Sequence, residues 1–205
     1  MELVFPLLLG FIVGLSGAMM PGPLLVYTVT QSLRKGWTTG IRVIAGHAVV
    51  EVFIIALMVA GVSHLMGSPV FIRSIAGIGA LFMAYMAFSL ARSHLTDRGS
   101  GQEARHGTVW GGMMFTAFNP GFPLWWATAG SALLVEGMKY GGLRGAALVV
   151  IGHWGADLGY YTMISILVSK GRESLLKRHE MQIKTALAGS LLLIGGYFAY
   201  IAASG

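Results

Sequence analysis

Between Glu2 and Arg34 the chain carries no charged side chain. About 20 apolar residues suffice to cross the roughly 30 Å of hydrocarbon in a bilayer, so this run alone is long enough to span. The start, Met1-Glu2-Leu3, has no basic stretch, and the run continues past any cleavage point, so a spanning segment is expected and not a signal peptide. Only 11% of the 205 residues are charged and 55% are hydrophobic, for a mean hydropathy of +0.72. Average proteins carry about 25% charged residues. A soluble domain of this length would lack the charges to cover its surface. The expected fold class is therefore all-α, a polytopic protein whose main partner is the lipid bilayer.

Six segments are long and apolar enough to span: about 4–33, 39–62, 70–91, 108–135, 142–169 and 185–203. A polar stretch divides them, so the expected organisation is a three-helix repeat over residues 1–91, a cytoplasmic linker over 92–107, and a second three-helix repeat over 108–205. A charged loop is expected from Lys170 to Lys184. Orientation follows from Lys and Arg. Arg34, Lys35, Arg42, Arg92, Arg98, Arg105, Lys170, Arg172, Lys177, Arg178 and Lys184 fall on one side, and only Arg73, Lys139 and Arg144 on the other, which accounts for all 14. This asymmetry predicts that the basic loops lie in the cytoplasm and both termini outside. It also explains the net charge of +6 without a nucleic-acid partner.

The two halves repeat two phrases. Met20-Pro21-Gly22-Pro23 interrupts the first segment, and Asn119-Pro120-Gly121-Phe122-Pro123 interrupts the fourth. Proline lacks the amide hydrogen and clashes with the preceding turn, and glycine loosens the backbone, so the first helix of each repeat is expected to break near mid-depth. Gly46-His47 with Glu51 lies in the second segment, and Gly152-His153 with Asp157 in the fifth. Three spans per half is an odd number, which turns the second copy upside down. Inverted repeats of this kind place their site at the midplane, where the copies meet.

Residues four apart share a helix face, so His47 pairs with Glu51 and His153 with Asp157. An acid at a helix centre costs about 2.5–3.5 kcal/mol on insertion scales and marks an ion or substrate path by default. Three chemistries fit. The carboxylates can neutralise a substrate ammonium. Glu51 or Asp157, relayed by His47 or His153, can carry a coupling proton. Alternatively, His47, Glu51, His153 and Asp157 can hold a divalent metal as cargo. The broken backbones at Pro21, Gly22, Pro23, Asn119, Pro120 and Gly121, with Trp125 and Trp126 just beyond, are the candidate substrate-binding residues. Ordinary proline kinks and a buried structural acid are the bland alternatives, and their duplication argues against them. Trp37, Trp110 and Tyr140 read as interface residues, and the methionines as packing filler.

The absence of cysteine excludes disulfides, thiolate metal sites and a thiol relay. No nucleophile constellation stands out, so neither an enzyme nor a resident cofactor is expected. Gly77-Ile78-Gly79 and Gly195-Gly196 allow close packing of the third and sixth helices, within the subunit or across a homodimer.

Pro21-Gly22-Pro23, the basic turn Arg34-Lys35-Gly36, the Gly46 to Glu51 phrase and Asn119-Pro120 together resemble the LysE/RhtB amino-acid exporter family over almost the whole chain. The resemblance implies a six-helix secondary transporter that exports amino acids or similar small metabolites and is driven by protons. Pro21, Gly22, Pro23, Asn119 and Pro120 match the family motifs, and Glu51 falls where the family usually has Asp. The chain departs at Leu24, where Asn is common, and at Gly121, where Lys is common. The histidines and Asp157 are not general family features. The cargo is therefore not copied from better-known members.

Overall fold

The structure, a computed structural model, describes residues 4–61, 68–92, 105–170 and 172–204, and among these every regular element is helical. The expected linker lies mostly outside the described residues, as do the side chains of Arg98, Arg105, Arg172 and Lys177. The elements are α1 (Val4–Ala18), α2 (Pro23–Lys35), α3 (Thr39–Val59), α4 (Pro69–Arg92), α5 (Arg105–Ala117), α6 (Gly121–Trp125), a π-helical turn (Trp126–Gly130), α7 (Ser131–Lys170) and α8 (Arg172–Ala203). α7 is two limbs joined at Gly141 and Gly142, and Gly142 takes φ +55°, a left-handed value that favours glycine. The second limb, 143–170, carries His153 and Asp157 as α3 carries His47 and Glu51.

Both expected breaks are present. α1 ends at Ala18, and α2 starts at Pro23, behind an extended Gly22. The two helices are bent by 82°. Pro23 sits at the first helical position, where its missing N–H is one that no helix satisfies. α5 ends at Ala117 and α6 starts at Gly121. Thr39–Gly61, Pro69–Arg92 and Arg178–Ala203 are long and apolar enough to cross a membrane, as is the bent pair α1–α2 taken as one span. The limb 143–170 is not among them, because His153, Asp157, Tyr160 and Tyr161 lower its mean hydropathy. One expectation needs correction: Lys170 to Lys184 is not a loop, since α8 begins at Arg172 and runs through it with a single kink at His179. Charges on a helix that emerges from lipid do not end it.

Glycines decide which helices pair. A Cβ at Gly10 would fall on the carbonyl oxygen of Val149, and one at Gly152 on that of Leu7, so α1 and the second limb of α7 touch backbone to backbone. The same relation recurs with the halves exchanged: Gly112 lies against the carbonyl of Val43, and Gly46 against that of Val109, joining α5 to α3. α4 and α8 form the third pair through Ala76, Ala80, Met83, Leu191 and Phe198. Gly77 and Gly195 lie in this contact, against Ala202 and Met83. Gly79 does not serve it. It makes room for the ring of Pro120 at the second break, and Gly196 faces open space.

Candidate functional site at the helix breaks

Pairing α1 with α7 and α5 with α3 brings the two histidine–acid faces together. His47, Glu51, His153 and Asp157 are all buried, with Glu51 at 0% exposure. Each offers one ligating atom, and the four atoms lie within 4.8 Å of one another. The closest approach crosses between the halves. His153 Nε2 is 2.6 Å from Glu51 Oε1, whereas His47 Nε2, on the same helix as Glu51, is 3.3 Å away. Asp157 Oδ2 is 3.3 Å from His153 Nε2 and 3.6 Å from His47 Nε2.

Two indoles complete the surroundings of Glu51. Trp126 Nε1 donates to Oε1 at 3.1 Å, and Trp154 Nε1 donates to Oε2 at 2.6 Å. Both carboxylate oxygens are thus satisfied without water, which offsets the cost of burying an acid. Trp125 lies flat on the His153 ring at 4.7 Å, and its N–H donates to Ser16.

The outer nitrogens of the imidazoles differ. Thr116 gives its hydroxyl hydrogen to the Gly112 carbonyl at 2.7 Å, so its oxygen accepts from His47 Nδ1 at 2.9 Å. That bond fixes the His47 tautomer and turns the lone pair of the neutral ring toward the carboxylates. The matching position, four residues after Gly10, is Gly14, and a Cβ there would lie 2.7 Å from His153 Nδ1. No hydroxyl reaches this nitrogen. Among the described residues, His153 Nδ1 and Asp157 Oδ2 are buried without a hydrogen-bond partner.

The tetrad borders a cavity of about 50 Å³ at the meeting of the two breaks. A water needs roughly 10–15 Å³ of such space, so the cavity has room for a few waters and for nothing the size of an amino acid. Of the residues singled out from sequence, Gly22, Glu51, Asn119, Gly121, Trp125, Trp126, His47, His153 and Asp157 line it. Gly22 faces the Asn119 side chain, and Gly121 faces Met20 Sδ. Pro21, Pro23 and Pro120 do not line it. Pro21 is exposed, while Pro23 and Pro120 are buried in packing. Sequence reasoning missed Trp154 and Thr116. Trp154 directly follows His153 and carried no other signal, and Thr116 is an ordinary residue of an apolar helix.

Residues 15–202 match the model of the LysE type translocator family. The chain belongs to that family. This translocator is accordingly a multi-pass membrane transport protein, and its relatives are transporters rather than enzymes. No curated protein and no solved structure matches it.

Proposed function

We propose that this translocator exports a small solute across the cytoplasmic membrane by alternating access, with protons as the coupling ion. The observation that carries the reading is the convergence of four buried ionisable side chains beside two broken helices. Open backbone at membrane depth is tolerated where protein or a polar cavity covers it, and intramembrane acids mark ion and substrate paths. The reciprocal contacts of Gly10 with Val149 and Gly112 with Val43 support two inverted repeats that rock about the tetrad. Counted as two repeats of three, the segments make six spans, and the basic loops favour a cytoplasmic linker and external termini.

Amino acids and related metabolites are the cargo that the family suggests. A carboxylate would sit at the start of α2, beside Gly22 and Leu24, which line the cavity where the first amides of a helix lack intrahelical partners, and an ammonium would face Glu51. The cavity must widen to admit such a cargo, as alternating access requires. Asn119, Gly121, Trp125 and Trp126 would line the widened space, while Pro21, Pro23 and Pro120 would shape the backbone around it. Two protons shared among the tetrad would balance its two carboxylates when cargo is absent. Purified protein in liposomes should move labelled solute when a pH step is applied. Asp157→Asn should lose the pH dependence while keeping the fold. Absence of flux for every amino acid and metabolite offered, and for cations, would overturn the export reading.

A further inference from the structure

We propose that the tetrad is a four-coordinate site for a divalent transition-metal ion, and that such an ion is the cargo. The inference rests on the export reading and narrows its substrate to one chemical class. Two imidazole nitrogens and two carboxylate oxygens suit zinc-like ions, whereas magnesium and calcium prefer six or more oxygens.

Three features point to a cation between these atoms. First, the spacing fits. Ligand atoms bound at about 2.0–2.2 Å around a tetrahedral ion lie roughly 3.3–3.6 Å from one another. His47 Nε2 to Glu51 Oε1 is 3.3 Å, His153 Nε2 to Asp157 Oδ2 is 3.3 Å, and His47 Nε2 to Asp157 Oδ2 is 3.6 Å. The 2.6 Å edge from His153 to Glu51 must open, and the four atoms, which lie within 4.8 Å of one another, must draw into a regular tetrahedron. Second, Asp157 Oδ2 is buried, has no hydrogen-bond partner, and belongs to a residue 2% exposed. A buried carboxylate oxygen that accepts no hydrogen bond is costly, and this one faces both imidazoles at 3.3 and 3.6 Å, where a cation would satisfy it. Third, Thr116 turns the lone pair of His47 toward Glu51 and Asp157. On a neutral ring that lone pair faces two carboxylate oxygens, a contact that a proton relieves in the empty site and a metal ion relieves in the loaded one.

Two of the ligands have the supporting groups that metal sites use, while His153 Nδ1 has no acceptor. Histidine ligands give their second N–H to an acceptor, and ligating carboxylates are themselves hydrogen-bonded. Thr116 serves His47, and Trp126 and Trp154 serve Glu51. The cavity of about 50 Å³ admits an ion with little remodelling, which an amino acid does not share.

The test uses the full chain purified in detergent, dialysed against Zn2+ or Co2+ and analysed for bound metal. Wild type should retain one ion per chain and give the intense visible absorption of four-coordinate Co2+. Asp157→Asn and His47→Gln should each weaken binding at least tenfold. Thr116→Val, which leaves all four ligands in place, should weaken it ~10–100-fold through loss of the supporting bond. Excess Mg2+ should not compete. Reconstituted protein should then move Zn2+ outward, read by a trapped fluorescent chelator. The inference falls if wild type retains no ion, if Asp157→Asn and His47→Gln both bind as wild type does, or if bound metal is not moved. Should metal neither bind nor move while an amino acid is exported, the metal inference alone fails and the export reading stands.

Discussion

Thr116 and Gly14 occupy matching places against the two imidazoles, and the difference between them is chemical. Thr116 accepts from His47 Nδ1, while Gly14 leaves His153 Nδ1 bare. Thr116→Val should therefore leave a second buried nitrogen unpaired. It should cost about 1–3 kcal/mol, seen as a lower melting temperature in detergent. Trp154→Phe keeps the ring packing but removes the donor to Glu51 Oε2, so a loss of similar size is expected in the same assay. The hub of the site was legible at this scale, because an acid four residues from a histidine in an apolar run has few structural reasons to exist. Its supporting residues were not. A threonine or tryptophan in a membrane helix carries no mark of what it faces until its neighbour is known.

The helices meet where glycine permits. Gly46 and Gly152 each admit a facing carbonyl where any side chain would collide with it. Gly46→Ala or Gly152→Ala should force α3 from α5, or α7 from α1, and displace a histidine one residue away. Overpacking against side chains costs about 1–3 kcal/mol, and a backbone carbonyl yields less. Reduced yield of folded protein is expected, together with lost transport in whatever remains. Gly196→Ala, where nothing lies within contact, should leave melting temperature and transport unchanged. The breaks were readable because proline is not tolerated in a helix interior, and Pro21, Pro23 and Pro120 fall where one helix stops and the next begins. The role of Gly79 was not, because its partner is Pro120 of the other half. The helical run of α8 through its charged stretch was also missed, since charge density signals exit from lipid and not the end of a helix.

At the scale of the molecule, the absence of native cysteine makes topology directly measurable. Trp37→Cys lies in the first basic turn and is exposed, and Tyr140→Cys lies at the opposite turn and is exposed. An impermeant thiol reagent applied outside the cell should label Tyr140→Cys and spare Trp37→Cys. The reverse pattern would invert the proposed orientation. The sequence by itself determined the helical membrane architecture, the places where helices break, and the two local pairs His47 with Glu51 and His153 with Asp157. These depend on composition and on spacings within one or two turns, which a helix converts into geometry without further information. Only the tertiary structure decided that Glu51 binds His153 more closely than His47, that Trp126 and Trp154 hold its two oxygens, and that the breaks lie side by side. Those partners are 75 to 103 residues apart, and their meeting depends on which helices pack together. That choice rests on the fit of one glycine-lined surface to another and leaves no local trace in the chain.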